Sequence, residues 1–395
     1  MNIQNLSQIT DDATRPPSKP QEFIHLAALD SLRGIAAVYV VLGHTARQVL
    51  VDESQLPKII KLFLSRGFSF GVYAVVLFIV LSGFCLMLPI IRNNGEMKGS
   101  FKEFFLRRAR RILPPYYVTL IISVGLSLTL LSQPVGGSLW DICIPITSQG
   151  VITHLLLIHD IFKSDIFQSN SSLWSIAVEW RIYFLFPLLV VAWRTWGGIK
   201  TTTITLGGSY LLFSVLSLLP FFNAGPPGSS LHYIALFSGG MLAADISFND
   251  TELNRQLRKN VPWTLLTAVL FTIAIPAAGI RYMGGISWIL SDLSAGLTSI
   301  CLLISIMSFP KHPMNQILNW KPLVKLGCFS YSIYLIHLPL IQLFYQYISH
   351  PLNLSPVMEV SFVYLIGVPL VVAISYLFFL LFEKPFLSKR AKQMI

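Results

Sequence analysis

Long apolar runs joined by short polar connections set the character of this chain. Residues 32–51, 70–91, 112–132, 178–196, 202–222, 231–247, 262–280, 286–309, 324–349 and 357–382 are mostly apolar. Each is close to the roughly 20 residues that a membrane-crossing helix needs. The pattern predicts an all-α fold, a polytopic integral membrane bundle of about ten transmembrane helices. The first run is the least regular, being uninterrupted only from Gly34 to Gly43. The opening "MNIQNLSQITDDATRPPSKP" is polar and Pro-rich, without the apolar core of a signal peptide. It reads as part of a flexible tail over 1–25, followed by a membrane domain over 26–387 and a basic tail over 388–395. The longest connection, 133–177, contains "GVITHLLLIHDIF", an expected interfacial helix.

Composition agrees with a membrane class: 54% of the 395 residues are hydrophobic and only 12% charged, about half the charge of an ordinary soluble domain. The net charge of +11 would suggest nucleic acid in a soluble protein. Here the basic residues sit at the ends of apolar runs, which argues for membrane orientation and against nucleic acid. On alternating sides of the ten runs, Lys and Arg number 21 against 6. The positive-inside rule then puts both termini in the cytoplasm. The four cysteines are scattered, with no metal-ligand spacing, so neither a metal site nor a disulfide framework is expected. No phosphate-binding glycine loop is present, and no internal repeat of the kind found in transporters.

Candidate chemistry lies in the ionisable residues that enter the membrane, because such groups are costly there and commonly functional. In "LDSLRGIAAVYVVLGH", Arg33 and His44 are 11 residues apart, about 16 Å of helical rise with a residual rotation of about 20°. They share a face, with Asp30 near the same stripe. A snorkelling guanidinium and a hydrogen-bonded core imidazole would be the structural alternative. Neutral His is suited to accept a proton near neutral pH, and a carboxylate on its second nitrogen would fix its tautomer. Glu179 in "SSLWSIAVEWRIYFLFP" is the expected partner for His44, with Tyr183 one turn on. An interfacial Glu179 paired with Arg181 is the competing reading.

In "FLRRARRILPPYY", Arg107, Arg108, Arg110 and Arg111 form either a topology anchor on anionic headgroups or a phosphate clamp. Pro114 and Pro115 are expected to start the third span. Ser82 and Gly83 read as a close-packing pair. Ser330, Tyr331, Ser332, Tyr334 and His337 in "FSYSIYLIHLPL" suit packing or substrate contact equally. Asp292 has no evident partner in the sequence, and Glu383 has Lys384 beside it.

Together these motifs resemble the acyltransferase-3 family of bacterial membrane O-acyltransferases over almost the full length. The first-helix Arg and His separated by ten residues, "LFIVLSGFCL", the basic entry to the third helix, "SLWSIAVEWRIYFLFP" and "SYSIYLIHLPL" occur in the family's order. Val76 departs from the pattern where an Asp is common, as do Trp180, Arg181 and Ile182 after Glu179.

The resemblance implies transfer of an acyl group, most often acetyl, from cytoplasmic acyl-coenzyme A as co-substrate to a hydroxyl of an envelope glycan or glycolipid. It implies no tightly bound cofactor and an inner-membrane location, with membrane lipids and polysaccharide-assembly proteins as partners. It gives His44 the role of base or transient acyl carrier, Glu179 that of orienting group, and Arg33 with the four arginines that of donor holders. Asp30, Tyr183, Ser330, Tyr331 and His337 become candidate substrate contacts. Some relatives carry a fused esterase-like domain, which is not expected here. The rival class is a glycan or lipid transporter.

Overall fold

Local chemistry sets where the helices begin. The structure, a computed structural model, describes residues 19–50, 56–68, 70–222, 228–281, 287–388 and 392, with 19–26 and 280 as backbone only. The expected tail 1–25 and basic tail 388–395 therefore fall largely outside the described residues. In chain order the helices are α1 (Lys19–Val49), α2 (Lys58–Gly67), α3 (Gly71–Arg92), α4 (Phe101–Leu128), α5 (Ser148–Leu155), α6 (Trp174–Trp196), α7 (Gly198–Leu216) and α8 (Tyr233–Phe248). They continue as α9 (Glu252–Asn260), α10 (Trp263–Ile280), α11 (Ser287–Ser308), α12 (Pro313–Leu318), α13 (Lys321–Cys328), α14 (Ser330–Phe344), α15 (Pro356–Phe362) and α16 (Val368–Phe378). Among the described residues no strand is formed beyond a single bridge between Phe162 and Phe222.

The chain is an all-α, multi-pass membrane protein. Among the described residues, six helical stretches are long and apolar enough to cross a membrane, or eight when two bent pairs, α9–α10 and α13–α14, count as one span each. The all-α bundle is as expected, while two of the ten expected spans, 202–222 and 231–247, fall short of that test among the described residues. Helix α8 has 16 residues and is buried on nearly every side. Helix α7 opens with a Thr-rich stretch, "GIKTTTITLGG", and is the other shortfall.

The third span also starts earlier than its prolines suggest. Ser100 caps α4, accepting from Glu103 N at 3.2 Å while Glu103 accepts from Ser100 N at 3.3 Å, the reciprocal pair of a capping box. Pro114 and Pro115 lie inside the helix. The Thr119 hydroxyl donates to the Pro115 carbonyl at 2.9 Å, one turn along.

Two glycine contacts hold the bundle close. A β-carbon at Gly83 would come 2.0 Å from the Phe237 carbonyl oxygen, and one at Gly240 would come equally near Val80 O, so α3 and α8 touch backbone to backbone. Gly327 meets Asp30 O in the same way, and a β-carbon at Gly34 would meet Gly327 N at 2.7 Å. The close packing expected at Gly83 is therefore present, whereas neighbouring Ser82 turns towards a cavity. Because 30 meets 327 and 44 meets 337, α1 and α14 run side by side in the same direction. One end of the bundle gathers Arg33, Arg92, Arg108 and Arg111. The segment 133–177, joining the far ends of α4 and α6, covers the other.

That far segment is anchored rather than loose. The expected interfacial helix is shortened to α5, and His154 stacks on His159 with ring centroids 3.7 Å apart and planes 7° apart. Asp160 is fully buried in a two-pronged ion pair with Arg181. Asp292, whose partner the sequence left open, accepts from Arg281 and lies 3.0 Å from His232 Nε2. Glu383 is buried and accepts from Ser332 at 2.5 Å.

Candidate active site

A cavity of about 380 Å³ penetrates the bundle from its basic end. Helix α4 contributes Arg108 and Arg111, three residues apart and so on one face. Arg107 and Arg110 are not among the lining residues, and Arg107 donates to Lys98 O at 3.2 Å. The four-arginine clamp expected from sequence is thus reduced to two of its members, joined by Arg33 and by Arg92 from the end of α3. These four guanidiniums face one carboxylate, Glu179, among the lining groups. Arg108 Nε is buried without a partner among the described residues. With Arg33 already paired to Asp30, the cavity-lining Arg108 and Arg111 favour an anionic ligand carrying several acceptor oxygens.

Arg33 is held from two sides. Its guanidinium donates to Asp30 at 3.0 Å and to Cys85 Sγ at 3.1 Å. Asp30 does not line the cavity; it fixes Arg33 instead of meeting a ligand there. Deeper in, Tyr183 donates to Glu179, and its hydroxyl lies 2.9 Å from Ser82 Oγ. Ser330 and Tyr331 also line the cavity, with Ser330 bonded to Gly327 O at 2.9 Å and Tyr331 to Ile112 O at 3.1 Å.

Tyr334 closes the far end of the cavity. Its hydroxyl donates to Ser172 O at 3.0 Å and lies 2.7 Å from Ser175 Oγ. Beyond it stands His337, ring centroid 5.8 Å away. His337 Nδ1 is 2.8 Å from the Tyr334 carbonyl, and Nε2 is 2.9 Å from His44 Nδ1.

This geometry determines the tautomers. A carbonyl only accepts, so His337 carries its proton on Nδ1, and its Nε2 becomes an acceptor. His44 must therefore donate from Nδ1, which leaves a lone pair on His44 Nε2. No hydrogen bond occupies that nitrogen among the described residues.

The expected Glu179–His44 pair is not formed, because Glu179 belongs to the basic-end cavity and is engaged by Tyr183. His337 is the group that orients His44. Arg33 and His44 lie at opposite ends of the site, and the cavity lining stops at Tyr334 short of His44. Sequence reasoning did not single out Cys85, Arg92 or Ser175 as site residues, and it left Tyr334 open between packing and substrate contact. Its spacing, three residues before His337 and three after Tyr331, puts it on their side of α14. Among the described residues no group of three His, Cys, Asp or Glu side chains could hold a metal ion.

The fold and site define a polytopic membrane protein with an anion-binding cavity at one end and an oriented imidazole pair deeper in, an arrangement suited to group transfer. The family model described as an acyltransferase domain matches residues 26–380, and the chain belongs to this acyltransferase-3 family. It is 26% identical over 340 residues to the peptidoglycan O-acetyltransferase OatA of Listeria monocytogenes, covering 81% of this chain and 50% of that protein. It is also 26% identical over 347 residues to the putative peptidoglycan O-acetyltransferase YrhL of Bacillus subtilis, covering 82% and 50%. The acyltransferase MdmB of Streptomyces mycarofaciens is 31% identical over 173 residues, covering 43% and 40%. The chain spans about half the length of the first two relatives. No solved structure matches.

Proposed function

We propose that this chain is a membrane O-acyltransferase that moves an acetyl group from acetyl-coenzyme A to a hydroxyl of a cell-envelope glycan. The observation that carries the reading is the directed chain of hydrogen bonds from the Tyr334 carbonyl through His337 to His44, which leaves His44 Nε2 as a base. That nitrogen takes the proton of the acceptor hydroxyl. The oxygen attacks the thioester carbonyl, the carbon–sulfur bond breaks, and the departing thiolate receives the proton. His337 steadies the imidazolium by accepting its Nδ1 proton in a hydrogen bond. General-base help of this kind is typically worth about 10²–10⁴-fold.

Arg92, Arg108 and Arg111 suit the phosphates of the donor, and the cavity past Glu179 and Tyr183 suits its thioester arm. The excess of Lys and Arg on one side supports a cytoplasmic basic end and cytoplasmic termini. The acceptor then reaches His44 from the opposite face of the inner membrane, where envelope glycans and the proteins that assemble them are found. The names of the relatives support an acetyl group and a cell-wall acceptor.

Membranes incubated with labelled acetyl-coenzyme A test this reading. Label should enter envelope carbohydrate with the native chain and not with His44→Ala at equal membrane abundance. Movement of glycan or lipid without consumption of acetyl-coenzyme A would favour a transporter instead.

A further inference from the structure

A groove of about 540 Å³ runs down the outside of the bundle between α13 and α16, within the roughly 300–1,000 Å³ usual for small-molecule sites. Leu326, Phe329, Val368, Val372 and Tyr376 help to line it, and Lys325 is the one charged group among the described lining residues. It shares no residue with the cavity that holds Arg108 and Arg111.

Contacts at the two ends of α16 give the groove its direction. The Tyr364 hydroxyl donates to Leu42 O at 3.0 Å, close in sequence to His44, whereas Glu383 accepts from Ser332 at the start of α14. Helix α16 therefore runs towards the basic end. Val368 lies eight residues before Tyr376, about 12 Å deeper in the bundle. Lys325 marks the mouth: its ammonium stands 5.3 Å from the centre of the Tyr376 ring. Phe329 meets the same ring edge to face, with centroids 5.2 Å apart.

Helix α13 has the chemistry of a membrane surface. It is bent by 71° from α14, so it lies across the bundle rather than along it. Trp320 and Lys321 are exposed at its start, and Lys325 follows one turn later on the same side. Trp and Lys together are usual at the headgroup level of a bilayer. The opposite side of α13 presses on α1, Gly327 against Asp30 O, and Asp30 holds Arg33 at 3.0 Å.

Among the described residues Lys325 makes no ion pair and no hydrogen bond, and no carboxylate lines the groove. An apolar groove open to water is unfavourable, whereas hydrocarbon fills it readily. The cation at its mouth matches a phosphate. A free phosphate would leave the apolar wall uncovered, and an apolar helix would leave the ammonium without a counter-charge. A phospholipid satisfies both.

We infer that this groove binds one anionic phospholipid from the leaflet at the basic end, and that the lipid braces α13 against α1. One acyl chain lies along Val372 and Val368, and the phosphate sits on Lys325 with Lys321 beside it. Such a site stands whether or not the chain transfers acyl groups.

The test gives the full chain in detergent either phosphatidylglycerol or phosphatidylcholine with the same acyl chains, and reads retained lipid by native mass spectrometry. The native chain should retain one phosphatidylglycerol at a concentration at least tenfold below that needed for phosphatidylcholine. Lys321→Gln with Lys325→Gln should abolish the preference. Ala373→Trp, at an exposed lining position, fills the groove without entering the packed core and should weaken retention of both lipids at least fivefold. Phosphatidylglycerol should also slow amide exchange over 321–328 and the facing segment 27–34 in the native chain, and in neither variant.

An unchanged preference in the lysine variant overturns the site. So does an equal loss in Lys259→Gln with Lys311→Gln, two lysines exposed elsewhere, because the effect is then one of surface charge. Retention untouched by Ala373→Trp removes the groove as the seat of the chain. Exchange slowed as much by glycerol 3-phosphate replaces the lipid with a free phosphate, and exchange that retained phosphatidylglycerol does not slow overturns the brace. None of these outcomes reads turnover, so a failure of the acyltransferase reading leaves them as they stand.

Discussion

His44 and His337, 293 positions apart in sequence, meet at 2.9 Å between Nδ1 and Nε2. Helix α14 itself sets the direction of that bond, because the Tyr334 carbonyl claims the other nitrogen of His337. In the proposed reaction His337 is a positioning residue. His337→Ala should lower kcat for acetyl transfer about 10²-fold with little change in either KM, by the scale of general-base contributions. His337→Gln keeps an acceptor oxygen and should recover part of the loss. Native kcat in His337→Ala would remove the assignment.

The arginines of α4 divide by face. Arg108→Gln with Arg111→Gln should raise the acetyl-coenzyme A KM at least tenfold, since both line the cavity. Arg107→Gln with Arg110→Gln should change it less than twofold, as neither lines the cavity. Equal effects of the two pairs in steady-state kinetics would return all four to a headgroup anchor.

Close contact between α3 and α8 predicts a stability effect independent of function. Gly83→Ala drives a β-carbon into the Phe237 carbonyl, and overpacking of this kind costs about 1–3 kcal/mol. The melting temperature in detergent should fall by several degrees. Gly125→Ala, where the added β-carbon meets nothing within 4 Å, should leave it unchanged or slightly raised.

The segment 133–177 should loosen in acid. Burial pushes His154 down to about 4. Burial, with the His154 and Arg181 charges, holds His159 well below the ordinary imidazole value. Below about pH 6.5 the unfolded imidazoles take up protons that the folded ones refuse, so stability falls with pH. Asp160, pushed up to about 6 by burial against the opposing pull of Arg181, acts with the opposite sign between about pH 4 and 6. Two imidazoles outweigh one carboxyl, leaving a net loss of about tenfold per pH unit in the opening equilibrium. Amide exchange over 148–162, corrected for intrinsic rates, should be faster at pH 5 than at pH 7, and slower exchange at pH 5 would refute the balance of signs.

Much of the fold was legible because a run of apolar residues has few uses outside a membrane. The span count was less legible: hydropathy treats α8 like any other run, and only tertiary burial reveals a 16-residue helix enclosed by its neighbours. The pairing of residues on one helix, such as Tyr183 with Glu179, followed from spacing. Pairing between helices did not. Nothing in the local sequence distinguishes Glu179 from His337 as the partner of His44, since that depends on which helix lies beside α1. The α4 arginines show the same limit, because periodicity separates the pair Arg108 and Arg111 from Arg107 and Arg110 but does not say which pair faces inward.

Tyr334 stands between the cavity and the imidazoles, tied to Ser172 and Ser175. In the proposed reaction a thioester entering from the basic end would meet the Tyr334 phenol before it met His44. In that reaction the phenol, held by Ser172 and Ser175, would also screen the thioester from water on the far side, so that an idle molecule would not squander acetyl units. Acceptor arrival, rather than donor supply, would then be the event that licenses turnover.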